Sequence, residues 1–99
     1  MEKVNVSWTL NAQKQFREVY DYISQDSELN ATKVAEDILL ILQLTAVNPE
    51  MHPIDRFKIF NDGSYRAFEK HHYRITYRYS NNKIKVLTIR HTSRNPKWT

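Results

Sequence analysis

The chain has no cysteine, a single glycine and no apolar run of the length that crosses a membrane. Without cysteine it forms neither disulfide bonds nor thiolate metal sites, and nothing points to an oxidising compartment. One glycine is too few for a glycine-rich loop that binds phosphate. The N-terminus also lacks the basic and then apolar pattern of a secretion signal. We therefore expect a cytoplasmic protein without a membrane segment.

The histidines do not predict a metal site. His52, His71, His72 and His91 lack the His-x-x-x-His spacing of metal ligands. His72 and His91 are expected to be neighbours on adjacent strands, but two histidines without a third ligand are a weak metal signal. No serine lies in a recognisable nucleophile motif. The residues thus predict no metal and no cofactor.

Charge is distributed unevenly along the 99 residues, although the net charge of +4 is modest. Residues 1–50 contain four Lys or Arg and eight Asp or Glu, whereas residues 51–99 contain eleven and three. The acidic half has helical patterning and the basic half has strand patterning. This asymmetry indicates that the sheet meets an anionic partner, either nucleic acid or an acidic protein segment. The alternative is that the cations only solvate the strands.

The first half has the pattern of a strand followed by two amphipathic helices. Residues 3–8 alternate apolar and polar side chains, as a strand does. Thr9 or Asn11 is the expected N-cap of the first helix, and Ser27 or Asn30 that of the second. The two helices are joined by a short polar link, which predicts a helical hairpin whose apolar stripe covers a sheet.

A loop is predicted between the helices and the remaining strands. Asn48 and Pro49 end the second helix, because the residue before proline avoids helical backbone angles. Residues 51–64 contain two prolines and the glycine and form the loop. Three apolar side chains are expected to hold it down: Phe57, Ile59 and Phe60. A strand with Arg66 and Phe68 follows.

Residues 65–98 alternate at period two and break only at Asn81 and Asn82, which predicts an antiparallel hairpin with a two-residue turn. The expected register places Tyr77 opposite Val86, Arg74 opposite Ile89 and His72 opposite His91. One face then carries side chains for the helices to cover: Tyr73, Ile75, Tyr77, Tyr79, Ile84, Val86 and Thr88. The other face carries cationic and apolar side chains: His72, Arg74, Thr76, Arg78, Lys85, Leu87, Ile89 and His91. This second face has the character of a binding surface, unless residues 95–99 fold back over its apolar part.

These elements predict one α+β domain over residues 1–99 in the order β-α-α-β-β-β. Its small antiparallel sheet has an N-terminal strand, and the two-helix hairpin packs on one face.

The basic residues of the second half form one predicted cluster: Arg66, Arg74, Arg78, Arg90, Arg94, His72 and His91. Aromatic side chains flank it: Tyr65, Phe68 and Trp98. Arginine offers planar donors for phosphate, and aromatic rings stack on unpaired bases. A metal-free ribonuclease needs such cations to hold the phosphate and a histidine or tyrosine to move protons. The same cluster suits an acidic partner without chemistry, and the residues alone leave both functions open.

Several motifs lie along nearly the whole chain: Asp21-Tyr22-Ile23, a segment from Ala35 that ends in Asn48-Pro49-Glu50, Arg66, Tyr73-Arg74-Ile75-Thr76-Tyr77-Arg78, and Ile89-Arg90-His91-Thr92-Ser93-Arg94. In this order they resemble the RelE/ParE family, which are toxins of bacterial type II toxin–antitoxin systems. The resemblance implies a small antiparallel sheet with two helices on one face, in agreement with the pattern of the residues.

The resemblance implies one of two actions. RelE-like toxins are ribosome-dependent endoribonucleases that cut mRNA, and Arg74 and Arg94 match two of their catalytic arginines. However, Tyr65 and Ala67 stand where that branch has lysines, and its late tyrosine has no clean match here. ParE-like toxins poison DNA gyrase and lack most of those groups.

The details favour the ParE-like branch, to which Arg66, Tyr73-Arg74-Ile75 and His91 are more similar. We therefore predict a growth-inhibiting toxin of a plasmid-stabilisation module, neutralised by an antitoxin with which it forms a hetero-oligomer. Poisoning of gyrase by binding is favoured over cleavage of mRNA on the ribosome, and a non-toxic nucleic-acid-binding module is the third alternative. In the nuclease case the catalytic residues are Arg74, Arg94 and His91. Residues predicted to contact a partner or nucleic acid are Arg66, His72, Arg78, Leu87, Ile89, Arg90 and Trp98.

Overall fold

A computed structural model of the protein describes residues 2–93. Its elements follow the predicted order: β1 (Asn5–Trp8), α1 (Leu10–Ser24), α2 (Glu28–Val47), β2 (Tyr65–Lys70), β3 (Tyr73–Ser80) and β4 (Lys83–His91). No helix within residues 2–93 has the length and apolar character needed to cross a bilayer. The predicted α+β fold class is confirmed.

Side-chain caps fix where the helices begin. The Thr9 hydroxyl accepts a hydrogen bond from the Ala12 N–H at 3.0 Å, and the Ser27 hydroxyl accepts one from the Asn30 N–H at 3.1 Å. Each cap satisfies an N–H that has no partner inside its helix. Thr9 and Ser27 are therefore the N-caps among the predicted candidates, and α2 ends one residue before Asn48, as predicted.

The four strands form one sheet in the order β1-β4-β3-β2. Strand β1 pairs with β4 in parallel, and the other two pairs are antiparallel, so the sheet is mixed and not wholly antiparallel as predicted, because β1 joins it at the outer edge of β4. Both helices cover the same face, because side chains of α1 and α2 share a single core with those of the strands. The buried members of this core are Ala12, Ile38, Leu42, Phe68, Tyr73, Ile75, Tyr77, Ile84, Val86 and Ile89.

The hairpin of β3 and β4 has the predicted turn but changes register halfway along. Asn81 and Asn82 have positive φ angles of 51° and 58°, as a tight hairpin turn requires. Tyr77 lies opposite Val86 as predicted, but beyond this pair Leu87 is an extra residue in β4. The consequence is that Ile75 lies opposite Ile89, Thr76 opposite Thr88 and Tyr73 opposite His91.

This β-bulge corrects the predicted faces of three residues, Thr88, Ile89 and His91. Ile89 is 2 % exposed and belongs to the core, whereas Thr88 shares the other face with Thr76, to which its hydroxyl is hydrogen bonded at 2.6 Å. Burial of an isoleucine is worth about 1.5–3 kcal/mol, which favours the bulged register. The N–H of Ile89 is satisfied by the Gln15 side chain of α1 at 2.7 Å. A register predicted from strict two-residue alternation does not include the bulge.

The connection between β2 and β3 consists of two histidines. His71 and His72 have φ angles of 53° and 67°, so they form the turn and the prediction that His72 lies on a strand is wrong. The Nε2 atom of His71 lies 2.6 Å from the Asp37 carboxylate of α2. This hydrogen bond is the main reason that the pKa of Asp37 is below its usual value. The turn is thereby attached to the helical layer.

The loop between α2 and β2 differs from the prediction at its tip. Phe57 is partly buried as expected, but Ile59 is 47 % exposed and Phe60 is 98 % exposed. The loop is held instead along the outer edge of β2, where Ile54 pairs with Arg66 and the Asp55 N–H donates to the Tyr65 carbonyl at 2.8 Å. Backbone pairing, rather than apolar contact at the tip, fixes its position.

His52 lies in this loop against the core. Its Nε2 atom lies 3.0 Å from the Thr45 hydroxyl oxygen, and its ring stacks on Phe68 with 4.6 Å between the ring centres. The Thr45 hydroxyl donates to the Ile41 carbonyl at 2.7 Å, so its oxygen is free to accept from a His52 Nε2–H. Burial lowers the pKa of His52 below its usual value of 6.5.

We expect His52 to make the protein less stable in mild acid. The unfolded chain takes up a proton on His52 more readily than the native state does, so the free energy of unfolding falls as the pH drops through 6.5. In urea unfolding at about pH 7.5 and 5.5, the wild type should lose more stability than His52→Gln. His72→Gln changes an exposed turn histidine and should behave like the wild type. Equal losses in all three proteins would contradict this expectation.

Candidate functional site

The face of the sheet that the helices leave uncovered carries a row of cations. Arg74 lies opposite Arg90, and Arg78 lies opposite Lys85. The Thr76–Thr88 pair lies between these two cation pairs. We call this surface the cationic face, defined by Arg74, Thr76, Arg78, Lys85, Thr88 and Arg90. Like charges directly opposite each other on a sheet are destabilising, so neighbouring anions are expected.

Arg74 is held by two carboxylates and an aromatic ring. Its Nη2 lies 2.9 Å from the Asp55 carboxylate, and its Nη1 lies 3.2 Å from the Glu69 carboxylate. The guanidinium carbon lies 4.9 Å from the centre of the Phe57 ring. Asp55 is only 7 % exposed and also accepts the Phe57 N–H at 3.0 Å. The charge of Arg74 is thus neutralised within the protein, and its orientation is fixed.

Arg78 is held more loosely at the other end of the face. Its Nε donates to the Ser64 hydroxyl at 3.0 Å, and its Nη2 lies 3.8 Å from the Asp62 carboxylate. Its guanidinium and the Lys58 ammonium each lie near the Tyr65 ring, 4.9 Å and 4.3 Å from the ring centre. Hydrogen bonds from the Ser64 hydroxyl and N–H are the main reason that the pKa of Asp62 is below its usual value.

Arg90 differs from both of these arginines. Within residues 2–93 its side chain forms no ion pair, and its Nε is buried without a hydrogen-bond partner. A buried polar atom without a partner is costly and marks a position where another group is needed. Lys85 likewise forms no ion pair within residues 2–93, but Arg90 is the cation of this face whose side chain also has a buried nitrogen without a partner among these residues, so it is the best candidate to bind an additional anion.

Arg66 does not join the cationic face. It lies opposite Tyr77, on the side of β2 toward the helices. Its Nη1 donates to the His52 carbonyl at 2.7 Å, and its Nη2 lies 3.4 Å from the Glu50 carboxylate. The position predicted for Arg66 is corrected here, because its side chain ties the segment after α2 to the edge of the sheet.

His91 also lies apart from Arg74. It is opposite Tyr73, a core residue, and the two rings meet edge to face with 5.1 Å between their centres. Its Nδ1 accepts the Ser93 N–H at 3.1 Å, which leaves Nε2 to carry the proton of the neutral ring. His72 stacks beside it at 6.3 Å. Within residues 2–93, no third histidine or carboxylate joins this pair.

Residues 6–96 match the model of a family described as the ParE toxin of the type II toxin–antitoxin system, parDE. The chain belongs to this family. No curated protein sequence shows significant similarity to it.

Solved structures of related toxins share the fold of this ParE-family chain. A chromosomal ParDE toxin–antitoxin system from P. aeruginosa aligns with a TM-score of 0.68 at 17 % identity, over 90 % of this chain and 96 % of that one. The RelBE2 toxin–antitoxin complex of Mycobacterium tuberculosis gives 0.62 at 14 % identity, over 92 % and 93 %. A YoeB/ParE toxin from Agrobacterium tumefaciens gives 0.60 at 17 % identity, over 88 % and 96 %. At these identities the likeness concerns the fold.

Two apolar residues predicted to contact a partner have different positions in this ParE-family toxin. Ile89 lies in the core, so the prediction that it is exposed among the cations is wrong. Leu87 occupies the bulge and is partly exposed, and its carbonyl accepts a hydrogen bond from the Thr9 hydroxyl at 3.3 Å. Arg94 and Trp98, which are also among the predicted site residues, lie outside the described residues.

The sequence reasoning missed the anions of the site. Residues 51–99 contain only three acidic residues, Asp55, Asp62 and Glu69, and each of them lies within 4 Å of an arginine of the cationic face. The rarity of acids in a strongly basic half was the available signal. With eleven Lys or Arg in the same half of the chain, each acid is expected to lie next to a cation.

Proposed function

We propose that the protein is a toxin that poisons DNA gyrase by binding to it and does not cleave RNA. The observation that carries this proposal is the separation of the nuclease candidates. Arg74 is neutralised by Asp55 and Glu69 on the cationic face, whereas His91 packs against Tyr73 on the opposite face. Family membership supports the toxin part of the proposal.

Ribonuclease chemistry would need a different arrangement. A cation that holds the scissile phosphate and a group that moves a proton must reach the same reacting atoms. Of the three nuclease candidates, the two that lie within residues 2–93, Arg74 and His91, are on opposite faces of one sheet. Tyr77 offers no substitute, because its hydroxyl donates to the Pro49 carbonyl at 2.8 Å and burial raises its pKa to about 12. Because Arg74 and His91 do not meet, the described part of the cationic face suits binding better than catalysis.

We further propose that a cognate antitoxin neutralises the toxin. Two of the similar structures are described as a ParDE toxin–antitoxin system and a RelBE2 toxin–antitoxin complex. An acidic antitoxin segment would supply the anion that Arg90 lacks in the described chain, and it would pair with the exposed side of Arg78.

The purified toxin should increase DNA cleavage complexes formed by purified gyrase and should leave ribosome-bound mRNA intact. Arg90→Glu reverses the charge of the arginine of the face that forms no ion pair within residues 2–93, and it should weaken binding to gyrase about tenfold or more. Lys14→Glu makes the same charge change on an exposed position of α1, the helix on the other side of the sheet, and should leave binding unchanged.

The outcome that contradicts this proposal is specific. Cut mRNA in the ribosome assay, abolished by Arg74→Ala, would establish the RelE-like action instead. Binding to DNA of any sequence with a steep salt dependence, and no effect on gyrase or mRNA, would indicate a plain nucleic-acid-binding module.

A further inference from the structure

The tip of the loop over residues 55–63 presents an apolar side chain to solvent. Phe60 is 98 % exposed, the highest value among the large apolar residues of the described chain. Its φ angle is 55°, in the left-handed region that aromatic residues rarely adopt. Ile59 beside it is 47 % exposed. Strained backbone with an exposed aromatic residue points to a function at this tip, because neither feature stabilises the fold.

The loop holds this tip rigidly, mainly through Asn61. The Asn61 amide donates to the carbonyls of Asp55 and Tyr65 at 3.2 Å and 2.8 Å. Its side-chain oxygen accepts the N–H groups of Gly63 and Tyr65 at 2.8 Å and 3.2 Å. One side chain thus joins both ends of the loop. The backbone that carries Phe60 is therefore held in place by these hydrogen bonds, so less ordering of the loop is needed when a partner binds.

The charges beside the tip are positive. Asp55 and Asp62 are paired with Arg74 and Arg78 of the sheet. Arg56 lies over the Phe57 ring at 4.9 Å and Lys58 over the Tyr65 ring at 4.3 Å, and neither forms an ion pair among residues 2–93. The loop therefore offers one aromatic anchor with two free cations beside it.

These features fit a protein pocket better than a lipid surface. Binding to a membrane surface depends on a broad apolar face, whereas here a single aromatic ring projects from a rigid polar loop. Protein interfaces concentrate their energy in such anchors, which fill an apolar pocket surrounded by polar contacts. Arg56 and Lys58 form no ion pair among residues 2–93, so carboxylates on the rim of that pocket would complement their charges.

We propose that Phe60 anchors the toxin to its protein target by filling an apolar pocket whose rim carries carboxylates that pair with Arg56 and Lys58. This inference rests on the proposed function, in which the toxin acts by binding a protein. In this proposal the loop contacts the target through Phe60, Arg56 and Lys58. The contacts proposed above for Arg90 and the cationic face are unchanged.

The test compares Phe60→Ser with Leu29→Ser. Leu29 is 80 % exposed in the first turn of α2, while the loop follows the other end of that 20-residue helix. Both variants should melt at the wild-type temperature, since neither side chain packs in the core. Phe60→Ser should weaken binding to purified gyrase about tenfold or more and prevent growth arrest in a bacterial host. Leu29→Ser should do neither, and both variants should bind purified antitoxin like the wild type.

Each remaining outcome has a distinct meaning. Wild-type binding and growth arrest by Phe60→Ser would overturn the inference, as would an equal loss of antitoxin binding. If the wild type arrests growth without binding gyrase, the proposed target is wrong. In that case, loss of arrest in Phe60→Ser but not in Leu29→Ser still supports the anchor. If Phe60→Ser instead loses binding to a DNA duplex or to phosphatidylglycerol vesicles, the occupant is not a protein and the inference fails.

Discussion

Replacement of Asp55 by alanine is expected to lower the free energy of unfolding by about 3 kcal/mol. The Asp55 carboxylate is nearly buried and lies 2.9 Å from the Arg74 guanidinium, whose side chain is 19 % exposed. Removal of the carboxylate leaves the mostly buried Arg74 cation with the exposed Glu69 carboxylate and directly opposite Arg90, so desolvation and like-charge repulsion both act against the folded state. Urea unfolding at neutral pH measures the effect.

Glu69 provides the matched control, because it contacts the same guanidinium from an exposed position. Its side chain is 53 % exposed, so Glu69→Ala should cost less than about 1 kcal/mol. The double change Asp55→Leu with Arg74→Met should recover most of the loss, since it replaces a buried ion pair by apolar groups. Similar costs for Asp55→Ala and Glu69→Ala would show that burial does not distinguish the two carboxylates.

The second large effect is expected at the bulge of β4. Ile89→Ala should lower the free energy of unfolding by about 3 kcal/mol, because Ile89 is 2 % exposed and packs in the core. A hairpin without the bulge would place Ile89 opposite Arg74 on the cationic face, where the same change would have a small effect. The prediction therefore tests the register as well as the packing, and urea unfolding reports it.

Leu87→Ala is the comparison for this experiment. Leu87 is the extra residue of the bulge and is partly exposed, so its truncation should cost about 1 kcal/mol or less. A larger loss for Leu87→Ala than for Ile89→Ala would support the unbulged register.

The bulge also determines which residues lie on the cationic face. It turns Arg90 onto the same face as Arg74 and turns His91 toward Tyr73. Without it, His91 would lie among the cations and the nuclease interpretation would be stronger. The extra residue Leu87 in β4 therefore separates His91 from Arg74, and this separation favours action by binding over cleavage of RNA.

Local signals in the sequence were sufficient for the order of elements. The N-caps Thr9 and Ser27, the stop at Asn48 and the Asn81-Asn82 turn each depend on residues close together in the chain. The motifs from Asp21 to Arg94 likewise indicated the toxin family that the match over residues 6–96 confirms.

Contacts between distant residues decided the rest. At the bulge, the Gln15 side chain of α1 accepts the N–H of Ile89 in β4. The charge of Arg74 is balanced by Asp55, which lies in the loop that runs along the edge of β2. The exposure of Phe60 depends on Asn61 joining both ends of the loop. The helices, the turn, the basic sheet and the family can be predicted from the amino-acid sequence, because they follow from local propensity, alternation and short motifs. The neutralised cations and the exposed side chains could not be predicted in this way, because these properties arise from pairs of groups that meet only in the folded chain.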